Sequence, residues 1–144
     1  MGFLSKLFGG ASTTSEPPVI IAGKKRGRPD FEIAGESKYQ RALTAICGPK
    51  CEEGYRVEGM AVLIPEPTNQ YDPNAVRVEI EGRTVGYLFR EDALWFNRSM
   101  ASEGYAGRSA TCGSIIVGGW DRGDGDTGHF GVKLNIVRPL AVLE

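Results

Sequence analysis

The chain has 144 residues, of which 41% are hydrophobic and 9% aromatic, and its formal net charge at pH 7 is −1. This composition suits one globular domain plus a tail, and no apolar run approaches the roughly 18 residues that span a membrane. A near-neutral chain is a poor non-specific coat for DNA, because phosphate neutralisation dominates such binding. The odd count of three cysteines favours a reducing compartment, so we expect a cytoplasmic protein.

Residues 1–30 are predicted to form a disordered tail, because small, polar and proline residues dominate residues 9–18. The basic segment 24–29, Lys-Lys-Arg-Gly-Arg-Pro, is similar to an AT-hook. Its glycine would let the backbone approach the minor groove, and Arg26 and Arg28 would reach into narrow A·T-rich duplex. A solvated basic linker is the alternative interpretation. The folded domain is expected over residues 31–144.

The first predicted element of the domain is a short helix. Ser37 and Gln40 have the spacing of a capping box, in which a serine and a glutamine satisfy free backbone N–H groups at a helix start. Leu43 and Ile46 then fall on one helical face. The Gly-Pro pair at 48–49 is expected to end this helix.

The next stretch predicts a strand, a stiff loop and a hairpin. Residues 57–65 are mostly apolar and predict a strand, and residues 66–74 are rich in proline, asparagine and aspartate, which favour turns. Strict alternation over residues 76–80 predicts a half-buried strand. Residues 81–82 then make a tight turn, and residues 83–88 return as the second strand of the hairpin.

The remainder predicts a second helix and two further strands. The helix is expected to begin near residue 89, with one apolar stripe: Phe89, Ala93, Phe96 and Met100. Residues 109–118 and the alternating residues 132–136 predict the strands. The sum is a mainly β fold with two helices, of α+β class, arranged as a small, partly open OB- or SH3-like β-barrel of about six strands.

The sequence offers little that could support catalysis. It has a single histidine and no nucleophile elbow, Walker motif or glycine-rich phosphate loop. We therefore expect no enzymatic activity and no cofactor. Cys47, Cys51, Cys112 and His129 would suffice for a structural zinc site, but their spacing lacks paired zinc knuckles, and free thiols are favoured.

The segment 66–92, EPTNQYDPNAVRVEIEGRTVGYLFRED, resembles the signature of the HIRAN domain. This module occurs at the N-terminus of some SNF2-type helicases and as a stand-alone bacterial protein. The match comprises an asparagine, a Tyr-Asp pair, the alternating strand, the hairpin and the Val-Gly-Tyr-Leu motif. Upstream, where the family usually carries Arg-Tyr-Tyr, this chain has Ser37, Lys38 and Tyr39, so altered or weaker binding is expected.

The resemblance implies a module that binds the 3′ end of single-stranded DNA. Tyr71 would stack on the terminal base, and Asp72 would accept a hydrogen bond from the 3′-hydroxyl. Asn69 would contact a base edge or sugar, and Arg90 would bind a phosphate. A carboxylate facing a hydroxyl makes a charge-assisted hydrogen bond and repels a 3′-phosphate, which allows a near-neutral protein to recognise an end.

Four further residues complete the implied site. Tyr87 would line the same pocket and Phe130 would supply another ring, while Lys38 could contact a phosphate beside Tyr39. Binding of single-stranded 3′ ends implies a role in DNA repair or replication. RNA or a nucleotide stays open as the ligand. The alternatives are a protein-interaction module that docks on a helicase or nuclease through an exposed strand, or a structural zinc-binding protein.

Overall fold

The computed structural model describes residues 16–143, which form eight strands and two α-helices. The elements are β1 (Val19–Ile21), β2 (Phe31–Glu32), α1 (Gln40–Cys47), β3 (Tyr55–Pro65), β4 (Val76–Ile80), β5 (Arg83–Tyr87), α2 (Arg90–Ser102), β6 (Ala110–Gly118), β7 (Phe130–Asn135) and β8 (Val142–Leu143). Within residues 16–143, neither helix has the length and apolar character needed to cross a membrane.

The strands form one mostly antiparallel sheet that curls into a half-barrel. Its main path runs β2-β7-β6-β3-β4-β5, and β1 pairs with β6 in parallel and with β8 antiparallel. The α+β, OB-like fold expected from the sequence is confirmed. β3 and β6 pair in register over nine positions, from Tyr55–Gly118 to Leu63–Ala110, and form the centre of the sheet.

The two edges of the curled sheet meet at one point, which we call the seam. Ala34, just beyond β2, donates its N–H to the carbonyl oxygen of Tyr87 at 2.7 Å and accepts the N–H of Tyr87 at 2.9 Å. Gly86 makes this approach possible, because a Cβ there would lie 2.7 Å from the Ala34 oxygen and 2.8 Å from the Ile33 side chain. The seam therefore requires a residue without a side chain at position 86.

The core lies on the concave face of the sheet and under the helices. The apolar positions of β4, Val76, Val78 and Ile80, are all buried, as the alternation predicted. Ala93, Phe96 and Met100 of α2, Leu43 of α1, and alternate residues of β6 and β7 complete this core. Two layers, helices on a curled sheet, thus bury one continuous apolar cluster.

The predicted hairpin is confirmed. Its two-residue turn has positive φ at Glu81 (52°) and Gly82 (74°), the backbone of the turn type that matches strand twist. A bulge between Val78 and Glu79 shifts the register between β4 and β5.

The predicted start of the first helix is wrong. Residues Glu36–Lys38 form a 3-10 turn, and α1 begins only at Gln40, with no side-chain cap from Ser37. Gln40 is instead used for tertiary packing: its Nε2 donates to the carbonyl oxygen of Phe130 at 2.9 Å, and its Oε1 accepts the N–H of Phe130 at 2.8 Å. A long-range contact has therefore replaced the local capping box.

The predicted tail needs correction within the described residues. Val19–Ile21 is a strand of the sheet, so the chain is ordered well before residue 31. Residues 1–15, and with them most of the predicted linker, lie outside the described part. The predicted apolar stripe of α2 is wrong at Phe89, which precedes the helix and is 48% exposed.

Candidate nucleic-acid interface

The loop between β3 and β4 is closed by backbone hydrogen bonds. Glu66 donates its N–H to the carbonyl oxygen of Ala75 at 2.8 Å, and Ala75 donates to that of Asp72 at 3.0 Å. Asn69 donates its N–H to the carbonyl oxygen of Glu66 at 2.9 Å. Turn-forming residues thus give a tight polar loop held at both ends by the central strands.

The side chain of Asn69 organises the tip of this loop. Its Oδ1 accepts the N–H groups of Tyr71 at 2.8 Å and Asp72 at 3.1 Å, and its Nδ2 donates to Glu66 Oε1 at 2.9 Å. Only one N–H of the amide is left over for another partner. The main physical role of Asn69 is therefore to orient the Tyr71-Asp72 pair.

Glu66 connects the loop to the barrel, and sequence reasoning missed it. Its carboxylate accepts hydrogen bonds from Asn69, from Tyr87 Oη at 3.0 Å and from Arg77 Nη1 at 2.5 Å. Partial burial acts to raise the pKa of Glu66, but the hydrogen bonds donated by Asn69, Arg77 and Tyr87 outweigh it, and the pKa lies below its usual value. Glu66 is therefore ionised at neutral pH.

Tyr87 is held by this network. Burial and the hydrogen bond to the Glu66 carboxylate raise its pKa to about 12, and nearby Tyr39 adds to the shift. The hydroxyl hydrogen of Tyr87 is thus committed to Glu66. Tyr87 therefore supports the loop through its hydrogen bond to Glu66. Its backbone also forms the seam with Ala34.

Tyr71, Asp72 and Arg90 lie together at the outer surface. Tyr71 is 81% exposed. The Asp72 side chain is only 18% exposed, and its Oδ2 lies 3.5 Å from Nε of Arg90, whose side chain is 79% exposed. The other oxygen of Asp72 accepts the N–H of Asn74 at 2.9 Å. One carboxylate oxygen therefore faces an exposed cation beside an exposed ring.

Lys38 and Tyr39 lie at the end of the 3-10 turn, and Tyr39 lies close enough to Tyr87 to contribute to the raised pKa of that residue. The 3-10 turn that ends at Lys38 packs against β5 and β7. Lys38 is exposed, whereas Tyr39 is half-buried. Phe89, which the sequence had assigned to the apolar stripe of the helix, is 48% exposed and lines a separate cavity with Phe31 and Arg138.

Three predicted contact residues lie elsewhere. Phe130 is 2% exposed in β7 and packs on Tyr55 with ring centroids 5.5 Å apart, so its prediction as a ring for DNA is wrong. Arg26 and Arg28 are exposed, on the connection between β1 and β2 rather than on a free tail.

Residues 16–143 contain no group of three or more histidine, cysteine or acidic side chains placed to bind a metal. Cys112 is 1% exposed in β6, and burial raises its pKa to about 12. Cys47 and Cys51 are half-buried free thiols. The zinc alternative therefore finds no support in this part of the chain.

Comparison with known families gives one match. The model of the HIRAN domain matches residues 35–115, more than half of the chain. Comparisons with curated proteins and with solved structures gave no match. The HIRAN domain is a DNA-binding module and is not itself catalytic. The matched range contains the 3-10 turn, the whole loop site and the Tyr87 side of the seam, and the chain belongs to the HIRAN domain family.

Proposed function

We propose that this protein binds the 3′-hydroxyl end of single-stranded DNA without cleaving it. The observation that carries the proposal is the half-buried carboxylate of Asp72, held on a tight loop between exposed Tyr71 and exposed Arg90. A family of DNA-binding modules supplies the ligand class.

The chemistry of a 3′-hydroxyl end explains why the proposed site contains a carboxylate. A 3′-hydroxyl can donate to Oδ2 of the Asp72 carboxylate, and such a charge-assisted bond is about twice as strong as a neutral one. A 3′-phosphate in the same place would be repelled. Arg90, which lies 3.5 Å from the same oxygen, can bind the preceding phosphate instead.

The neighbouring groups extend the contact along the strand. Exposed Tyr71 would stack on the terminal base, and stacking contributes about 1–3 kcal/mol per base. Lys38 replaces an aromatic ring of the family pattern, so we expect it to add a phosphate contact rather than a second stack. A protein that recognises such ends suits DNA repair or replication, where free 3′ ends occur.

The test compares two oligonucleotides that differ only at the 3′ end, hydroxyl or phosphate, by fluorescence anisotropy at low salt. Wild type should favour the hydroxyl by about tenfold or more, since a hydrogen bond to a charged group contributes about 1.5–3 kcal/mol. Asp72→Asn keeps the acceptor for Asn74 but removes the charge, and it should abolish the preference.

Asp124→Asn is the matched control. Asp124 is exposed on the β6–β7 loop with φ of 52°, a conformation that asparagine tolerates well. It loses the same charge and should keep the wild-type preference. Equal affinity of wild type for both ends would refute end recognition.

A further inference from the structure

The connection between β1 and β2 is folded onto the sheet. Lys24 donates its N–H to Asn135 Oδ1 at 2.8 Å, and Gly23 lies so close that a Cβ would be 2.5 Å from the Asn135 amide. Lys24 also forms an ion pair with Asp30 at 2.9 Å, across the turn at Gly27. The basic segment is therefore a structured turn with a fixed position on β7.

A groove of about 230 Å³ lies between this turn and the sheet. Its floor is apolar, because Ile115 and Val117 of β6 point to this face. Three cationic side chains from three separate parts of the chain surround it: Arg28, Arg56 and Lys133. The strand register places Arg56 opposite Val117 and Lys133 opposite Ile115, so both cations flank the floor.

The three cations around this basic groove have no salt-bridge partner among the described residues. Among residues 16–143, no ion pair or side-chain hydrogen bond involves Arg28, Arg56 or Lys133. Three acidic residues lie beside the groove: Glu32 is the register partner of Lys133, Glu58 is the register partner of Ile115, and Asp30 forms an ion pair with Lys24. The hydrogen bond from Lys24 lowers the pKa of Asp30, and the charge of Lys133 contributes to the same shift. No acidic side chain lines the groove itself.

We propose that this basic groove is a second DNA contact, which binds backbone phosphates of the same strand at a distance from its 3′ end. Three converging cations around one cavity match the phosphate backbone, which supplies most of the electrostatic affinity for nucleic acid. The proposal rests on the proposed function for its geometry, since the strand must begin at the loop site.

The distance between the two sites sets the length of DNA required. Arg56 lies near the start of β3, and the loop site follows Pro65 at the end of the same strand. Nine residue steps of about 3.3 Å make about 30 Å. A strand stacked at about 3.4 Å per nucleotide needs about nine nucleotides to cover that distance. Short ends should therefore contact the loop alone, and longer ones should reach both sites.

The experiment measures affinity against salt concentration for single strands of about four and about sixteen nucleotides, both ending in a 3′-hydroxyl. The variant is Arg56→Gln with Lys133→Gln, two exposed positions at which little loss of stability is expected. The control is Arg83→Gln with Arg98→Gln, which removes the same charge from exposed positions outside the groove. Thermal unfolding verifies that both proteins are folded.

On the long strand, the groove variant should reduce the slope of log K against log salt by about 1.4, since each lost phosphate contact removes about 0.7. On the short strand it should match the control. An unchanged slope, or an equal loss in the control, would overturn the proposal. The two proposals fail separately. Asp72→Asn should lose the preference for a 3′-hydroxyl and keep the steeper salt dependence of the long strand. The groove variant should keep the preference for a 3′-hydroxyl and lose that steeper salt dependence.

Discussion

The carboxylate of Glu66 offers the sharpest test of how the loop site is built. Glu66→Gln keeps the size of the side chain but removes the charge that accepts hydrogen bonds from Asn69, Arg77 and Tyr87. The glutamine amide has one acceptor oxygen and one donor nitrogen. At least one of the donor groups on Asn69, Arg77 and Tyr87 must therefore face the new amide N–H₂ group. Arg77 loses its shorter partner and retains only Glu79, at 2.9 Å.

The expected cost follows from these contacts. A hydrogen bond between charged groups contributes about 1.5–3 kcal/mol, and the partial exposure of Glu66 (16%) and Arg77 (25%) screens it. We therefore expect Glu66→Gln to lower the free energy of unfolding by about 2 kcal/mol. For a domain of this size, that corresponds to a fall in Tm of about 6–10 °C.

Glu79→Gln is the matched control, because it removes the same charge and the other partner of Arg77 without touching the loop. We expect a loss of about 1 kcal/mol or less. Hydrogen exchange separates the two: the amides of Tyr71 and Asp72 should exchange faster only in the Glu66 variant. If the Glu66→Gln and Glu79→Gln variants had equal Tm values and equal exchange rates at the amides of Tyr71 and Asp72, the argument that Glu66 holds the loop would be refuted.

Three further predictions concern single aromatic side chains. Tyr71→Ala should weaken DNA binding by about 1–3 kcal/mol, because a stacked base is lost, and should leave Tm unchanged because the ring is exposed. Phe130→Ala should cost about 3–5 kcal/mol of stability as a core truncation; a folded Phe130→Ala with wild-type Tm would contradict its burial. The pKa of Tyr87, raised to about 12, means that its contribution to stability is complete below about pH 10, the unfolded pKa, and is lost as pH rises towards 12. Tyr87→Phe should lack this alkaline loss in denaturant titrations at several pH values, and an identical pH profile in both proteins would contradict it.

The parts of the fold that the sequence predicted are those determined by local pattern. The β4–β5 hairpin follows from alternation and a two-residue turn, and both were visible in adjacent residues. β1 and β8 were not predictable, because strands of three and two residues carry no periodic signal. They exist through pairing with each other and, for β1, with β6, at separations that local patterns do not encode.

The same limit applies to the site. Tyr71, Asp72 and Arg90 were found through motif resemblance, and the structure brings them together. Glu66 escaped notice because its partners Arg77 and Tyr87 lie 11 and 21 residues away. Phe130 was assigned to the site through the family resemblance, whereas it continues the apolar alternation of Val132 and Leu134 and is buried with them in β7.

The seam changes how the Val-Gly-Tyr-Leu motif should be interpreted in related sequences. Its glycine admits the backbone of Ala34, and its tyrosine both completes the seam and anchors Glu66. One short motif thus serves two structural purposes, contact between the sheet edges at the seam and support of the β3–β4 loop. A homologue with a larger residue at this glycine would have to part its two sheet edges, and it would lose the support of its β3–β4 loop even if every side chain of that loop were retained.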